Sequence, residues 1–414
     1  MNRNRLILAL WASLGALWAQ TDINVNSRYT IQSVEISGGN QNRISRSLRE
    51  DIESLVGKRL NQESLEKLAR RIRTELHARL VAPKVTRGTE SERVIVLFDV
   101  KGKRYSRDLD LSVPRGIYHS RHGWSGILDA RFSVGNSQFS GGVANDGDQL
   151  IERYAGVRAG YQNRHVFSDR VRLGFQFASY HTQWDQDTLT ALETASEVPG
   201  IYRTRQDFAP SVTFVLAEPL TLSVGASFQR FQKQFPAAHT EAANAVTTTL
   251  RYVRRLEDSE GNHHQLDAGY SLRAATSSLD SDYAYTRHEV DFDYAYTRGR
   301  QTLGLKLAAG GISGTPPLFE RFVLGNSTTL RGWSKFDVAP LGGTRMAHAA
   351  LEYGYHGFQV FYDTGVLRDD REKGDTKHSL GLGYRTKEER FFLALAFPVK
   401  AGRVQPIFMT GVTF

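Results

Sequence analysis

The 414-residue sequence contains no cysteine, which excludes disulfides, thiol chemistry and cysteine-ligated metals together. Proline is scarce at 11, whereas glycine reaches 37, a balance that favours tight turns over Pro-rich linkers. Beyond the first residues no apolar run reaches the roughly 18 residues that a membrane-crossing helix needs. No Gly-x-Ser-x-Gly nucleophile elbow occurs either. What the chain does hold is aromatic residues, with 22 Phe, 17 Tyr and 5 Trp. That composition points to many β-strands joined by short turns.

The N-terminus reads as an export signal. Asn2 to Arg5 supplies a basic segment, Leu6 to Leu17 an apolar stretch and Ala19 a small residue suited to a cleavage site, so residues 1–19 are expected to be a secretory signal peptide. An exported, cysteine-free, strand-rich chain suggests a bacterial outer-membrane protein.

Charge marks a boundary. Residues 1–104 hold 19 Lys+Arg against 11 Asp+Glu, a balance of +8 within a total of +9, so the remainder is near neutral. The basic excess, with Arg70, Arg71 and Arg73 on one expected helix, reads as a solvated face or as attraction to anionic lipid head groups or acidic clients. Nucleic acid is not an expected partner of an exported chain.

Residues 29–101 show a β-α-α-β-β order. Ile31, Val34 and Ile36 mark a strand, and Leu48, Ile52 and Leu55 share one helical face that Gly57 would stop. Asn61 can cap a second helix carrying Leu65, Leu68, Ile72 and Leu76. Val81 to Arg87 and Arg93 to Val100 close the unit, with Val94, Val96, Phe98 and Val100 on one side. About 70 residues in this order resemble a POTRA domain, the periplasmic module of outer-membrane assembly and translocation proteins.

From residue 105 the period becomes two. Val171, Leu173, Phe175 and Phe177 alternate with Arg172, Gly174, Gln176 and Ala178, and Phe391, Leu393, Leu395 and Phe397 repeat the pattern. Sixteen strands are expected, near 105–113, 124–134, 137–144, 153–161, 170–184, 207–216, 220–231, 244–255, 264–273, 286–297, 301–310, 344–354, 357–366, 377–386, 390–398 and 405–414. Their number and length suit a transmembrane barrel over residues 105–414. The last, with Phe408, Val412 and Phe414 on one face, reads as an outer-membrane targeting strand.

The most specific signal lies between the eleventh and thirteenth strands. The segment Phe319 to Trp333, which includes Phe322, Gly325 and Leu330-Arg331-Gly332-Trp333, resembles the strand-to-loop-six motif of the BamA/TamA-like outer-membrane assembly-factor superfamily, also called the bacterial surface antigen family. Ala350 to Tyr353 and Phe361-Tyr362-Asp363-Thr364-Gly365 resemble its next two strands, and Gly381 to Pro398 its penultimate pair. The resemblance covers residues 29–414 and implies a mainly β fold, one small α+β POTRA domain before a sixteen-stranded barrel. It further implies a sixth loop, about 311–343, folded into the lumen. Carried over, Arg331 is the loop-tip arginine and Glu352 and Asp363 are the lumen-facing acids that receive it. Gly332 then allows close approach to the wall, and Trp333 packs with an N–H to donate. These are latch residues rather than catalytic ones.

The chain departs from the family pattern in four respects. Gly325-Asn326 stands where a glycine pair is common, and Trp333 where Phe or Tyr is usual. One POTRA is fewer than general assembly factors carry, and the stretch before Tyr29 is short for the plug helix and linker of two-partner secretion transporters.

No enzyme activity and no cofactor or metal are expected. His119 with His122, and His263-His264 near Asp267, read as solvated loop histidines, a hydrolytic barrel remaining the enzymatic alternative. The function implied is insertion of outer-membrane proteins, with unfolded outer-membrane or secreted polypeptides as clients, outer-membrane lipids as surroundings and room for accessory lipoproteins. A polypeptide translocation pore is the alternative, and a passive solute channel the third.

Overall fold

A computed structural model describes residues 28–37, 44–76, 78–90, 92–103, 107–166, 168, 170–195, 200–234, 238–258, 262–369, 374–386 and 391–413. The segment expected to be a signal peptide, and Phe414, lie outside the described residues. Two compact units divide at residue 105.

In the first unit, strand β1 (Thr30–Ser37) is followed by helices α1 (Arg46–Glu53) and α2 (Gln62–Glu75) and strands β2 (Ala78–Arg87) and β3 (Arg93–Lys103). The sheet order is β1-β3-β2, parallel between β1 and β3 and antiparallel between β3 and β2. Both helices start on side-chain caps: Ser45 Oγ accepts the Leu48 N–H at 3.2 Å and Asn61 Oδ1 the Glu63 N–H at 2.9 Å. The expected stop at Gly57 falls three residues late, because α1 already ends on Ser54, and Gly57, at φ +82°, shapes the turn that follows. Leu48, Ile52, Leu65, Leu68 and Ile72 from the helices pack on Ile31, Val94, Val96 and Phe98 from the sheet. Strands β1 and β2 both remain edge strands within this unit.

The second unit is a closed antiparallel barrel. Its strands are β4 (Arg107–His119), β5 (Gly123–Val134), β6 (Ser137–Asp146), β7 (Arg153–Asn163), β8 (Val171–Gln183), β9 (Tyr202–Ala217) and β10 (Leu220–Lys233). The short β11 (His239–Ala242) and β12 (Ala245–Glu257) both pair with β10 and form one interrupted strand. Then come β13 (His263–Ala275), β14 (Tyr285–Arg298), β15 (Gln301–Gly314), β16 (Arg345–Tyr355), β17 (Phe358–Arg368), β18 (Lys377–Arg385), β19 (Phe391–Pro398) and β20 (Ile407–Thr413). Counting β11 with β12, the barrel has the sixteen strands expected from the period-two pattern.

Hydrophobic side chains line the outside of this wall. Leu128, Val157, Phe177, Leu351, Val360, Leu382 and Leu393 are all exposed, which in water would be a liability and in lipid is the stabilising arrangement. Among the described residues no helix is long and apolar enough to cross a membrane.

Two boundaries and one element differ from expectation for local reasons. Strand β4 runs on through Pro114 to His119 because the register shifts between Ser112 and Arg115, a bulge of the kind that accommodates a proline without its N–H. Strand β15 reaches Gly314, so the following connection spans residues 315–344 rather than starting at 311. Helix α3 (Gln186–Thr194), between β8 and β9, is capped by Asp185 and was not anticipated.

Candidate functional site

The connection between β15 and β16 folds inward and is built from small turns. Phe322 and Gly343 exchange two backbone hydrogen bonds, 2.9 and 3.0 Å, closing a neck. Beyond the neck Gly325 takes φ +92°, a left-handed conformation in which a Cβ would sit 2.9 Å from the Lys335 nitrogen. Asn326 Oδ1 then gathers the backbone N–H and hydroxyl groups of Thr328 and Thr329 at 2.8 to 2.9 Å. This knot aims Leu330 to Trp333 at the wall of β16 to β19.

Arg331 meets two acids there. Its backbone N–H and Nε both donate to Asp363 Oδ2 at 2.9 Å, and Nη2 donates to Asp363 Oδ1 at 2.6 Å. Nη1 donates to Glu352 Oε1 at 2.6 Å. The guanidinium carbon lies 3.6 Å from the centroid of the Phe361 ring, so the cation is stacked as well as paired. Asp363 is fully buried. An arginine in such a place requires anions with matching geometry, since each buried charge left alone costs several kcal/mol, on the order of 3 to 5 for a broken pair.

The neighbours of Arg331 are fitted to the same wall. Leu330, at φ +49°, is a non-glycine residue in the left-handed region, a conformation that costs roughly 1 kcal/mol or more, and its N–H donates to His348 Nε2 at 3.2 Å. A Cβ on Gly332 would come within 2.5 Å of Ser379 Cβ and 2.8 Å of the Phe397 carbonyl carbon, so only glycine allows this approach. Trp333 Nε1 donates to the His378 carbonyl at 2.9 Å, and Lys377 sits 4.3 Å from the indole.

The Omp85 superfamily domain matches residues 130–386. The chain belongs to the Omp85 superfamily. Among solved structures this Omp85 chain is similar to the crystal structure of BamA from Haemophilus ducreyi lacking POTRA domains 1-3, at 14% identity and TM-score 0.61, over 93% of this chain and 85% of that one. It is also similar to CdiB from Acinetobacter baumannii, at 13% identity and TM-score 0.55, over 94% of this chain and 74% of that one. At such identities the likeness concerns the fold. No curated protein sequence matches.

Sequence reasoning named five residues of this Omp85 tip, and the structure brings Arg331, Gly332, Trp333, Glu352 and Asp363 together. Phe322 lies at the neck, buried and 4.4 Å from the Arg287 guanidinium. Gly365 lies on β17 in register with His348. Phe408 and Val412 lie apart from the tip, half-buried on β20, where that strand pairs with β19 and β4. His348 was missed, and Phe361 was quoted in its motif without a role; neither has a local signal, because both matter only through their register across β16 and β17.

A larger omission concerns the limbs of loop six. His119 and His122 are not solvated: their exposures are 0% and 4%. Loop six covers them, with Ser334 Oγ 3.1 Å from His122 Nε2, while His122 Nδ1 lies 2.9 Å from Asp148 Oδ1. Ser327 donates its N–H and hydroxyl to Asp148 Oδ2 at 3.0 and 2.5 Å. Burial acts to raise the Asp148 carboxyl, but these bonds outweigh it and hold the group down at about 2. Lys335 is buried too, donating to the Gly147 carbonyl at 2.6 Å and to the Leu150 carbonyl. Burial pushes its ammonium down to about 8. By contrast His263 is exposed and His264 half-buried at the start of β13.

Loop six reaches several walls of the barrel, with Phe319 against Tyr202 and Phe231, Glu320 paired with Arg273 and Arg331 with Asp363. Residues of β5 to β10 and β12, Asp129, Arg131, Arg158, Arg172, Gln176 and Asp207 among them, line a polar cavity of about 860 Å³.

Proposed function

We propose that this Omp85 chain is an outer-membrane assembly factor that inserts polypeptides into the membrane by pairing their strands at the β4–β20 seam. The observation that carries the reading is the shortness of that seam. Strand β20 pairs with β4 at five positions only, from Met409↔His119 to Thr413↔Arg115, while β4 pairs with β5 at eleven. Among the described residues, Arg107 to Ser112 have a strand partner on the β5 side alone. An unpaired edge is a template for another strand, and backbone pairing is largely indifferent to sequence.

The first unit fits the same role. As a POTRA domain in the periplasm, it would offer the edges of β1 or β2 to unfolded outer-membrane or secreted clients. The barrel would sit in the bacterial outer membrane, with accessory lipoproteins as further partners. No catalytic step is needed, because the chemistry is strand exchange.

Export of a polypeptide through the lumen is the second reading, and the 860 Å³ polar cavity supports it. A cysteine pair separates the two, in a chain that has no cysteine of its own. Gly116 and Val412 are partners in the seam, and a Cβ at Gly116 meets nothing within 4 Å. Oxidising Gly116→Cys with Val412→Cys should stop accumulation of barrel proteins in the outer membrane, and reduction should restore it. If the locked protein still supports insertion, the seam reading is wrong; loss of a secreted polypeptide on tethering loop six would then favour export.

A further inference from the structure

His119 ends β4, His122 lies in the turn to β5, and Asp148 lies in the connection after β6. All three are buried, and one nitrogen or carboxylate oxygen from each lies within 4.8 Å of the other two. The imidazoles stack with centroids 4.0 Å apart and planes 3° apart. His119 Nε2 has no hydrogen-bond partner. A fully buried ring nitrogen left in that state is costly and calls for an explanation.

We propose that His119, His122 and Asp148 form a binding site for a borderline divalent transition ion of the zinc class. Two neutral imidazoles and one carboxylate are the donor set such ions take, with a fourth position open to water. Calcium and magnesium ask for more oxygen ligands than this pocket offers.

The surroundings supply what ligands need from behind. The ion takes the place of the proton shared by His122 Nδ1 and Asp148 Oδ1, at 2.9 Å. His122, neutral, then carries its single ring proton on Nε2 and donates it to Ser334 Oγ, and Asp148 keeps Oδ2 for Ser327. Both are the second-layer bonds that orient metal ligands elsewhere. His119 contributes the unpartnered Nε2. Its Nδ1 then carries the ring proton, so the 3.2 Å bond from the Arg121 N–H gives way and the short turn shifts. The positive charge of Lys335 is offset by Asp146 and Glu152 as well as Asp148.

Such an ion would cross-link the β4–β5 turn to the connection after β6, which otherwise meet here through a hydrogen bond between His122 and Asp148. His119 pairs with Met409 in the seam, and the two serines flank the tip of loop six on either side. A bound ion would therefore fix the wall surface on which the loop-six serines and the first strand of the seam rest.

The test uses the untagged full chain, folded in detergent and stripped with a chelator. Titration with Co²⁺ should give one ion per chain with a tetrahedral visible band, and Zn²⁺ should displace it and raise the melting temperature by several degrees, as expected of a ligand bound only to the folded state. His119→Gln, which removes a nitrogen with no partner, should weaken binding at least about tenfold, as should Asp148→Asn. His356→Gln, at the exposed turn between β16 and β17, should leave binding intact. Heat-modifiable migration on gels establishes that each variant is folded. No stoichiometric binding to the wild type at about 100-fold excess of ion over the micromolar range, or unchanged binding in folded His119→Gln, overturns the proposal.

Discussion

The tip of loop six and its limbs are a few residues apart in sequence but are held by different physics. At the tip, one cation is matched by two acids, and Asp363 is closed off completely. At the limbs the holding is spread over several contacts: the Glu320–Arg273 and Arg321–Asp369 ion pairs, the buried Lys335 ammonium on backbone carbonyls, serine hydroxyls, and an apolar cluster that includes Phe319, Phe322 and Leu324. A neutral hydrogen bond contributes about 0.5 to 1.5 kcal/mol and can be exchanged with water one at a time. The buried ion pair has no such intermediate, since either partner alone in that place is strongly unfavourable. The limb contacts lie on separate residues and can be lost one at a time, whereas the tip gathers its bonds on Arg331 and releases both acids together.

That contrast is broken most directly by Arg331→Ala. It leaves Asp363 buried without its guanidinium and should cost about 3 to 5 kcal/mol, read as a lower unfolding temperature in detergent and loss of function. Asp363→Asn should exceed Glu352→Gln in the same assay, because Asp363 receives three N–H donors from residue 331 and Glu352 receives one. If both acids behave as wild type, the tip is not held by charge. Next in size is Gly332→Ala, whose Cβ would overlap Ser379 and Phe397. About 1 to 3 kcal/mol is expected, with the tip more open to added protease. The limbs should respond least: Ser334→Ala removes one neutral bond to His122 and should cost about 1 kcal/mol. An effect of Ser334→Ala as large as that of Arg331→Ala would erase the distinction.

Much of the barrel was legible because lipid imposes a simple rule. Alternate positions such as Val171, Leu173 and Phe175 on β8 must be apolar outward, and closure requires many such strands. Boundaries were less legible where register decides them. Pro114 reads as an end but sits at a bulge, and the gap between β11 and β12 arises where Asn244 Oδ1 takes the Gln229 N–H at 3.1 Å. The tip acids were identified through their motif resemblance. His122 was misjudged because what buries it is Ser334 and its neighbours, 212 positions downstream. A turn histidine carries no mark of a lid that arrives from another part of the chain.

The neck between Phe322 and Gly343 gives loop six a mechanical character. Two hydrogen bonds fasten the base of the loop directly above the β15–β16 pair, so with the tip and limb contacts released residues 323–342 would form a ring hung from the wall at that one point. A body suspended that way swings as a piece, like a clapper in a bell. Clearing the passage would need no unravelling of the loop, only rotation about its attachment, and the same attachment would return it to its seat.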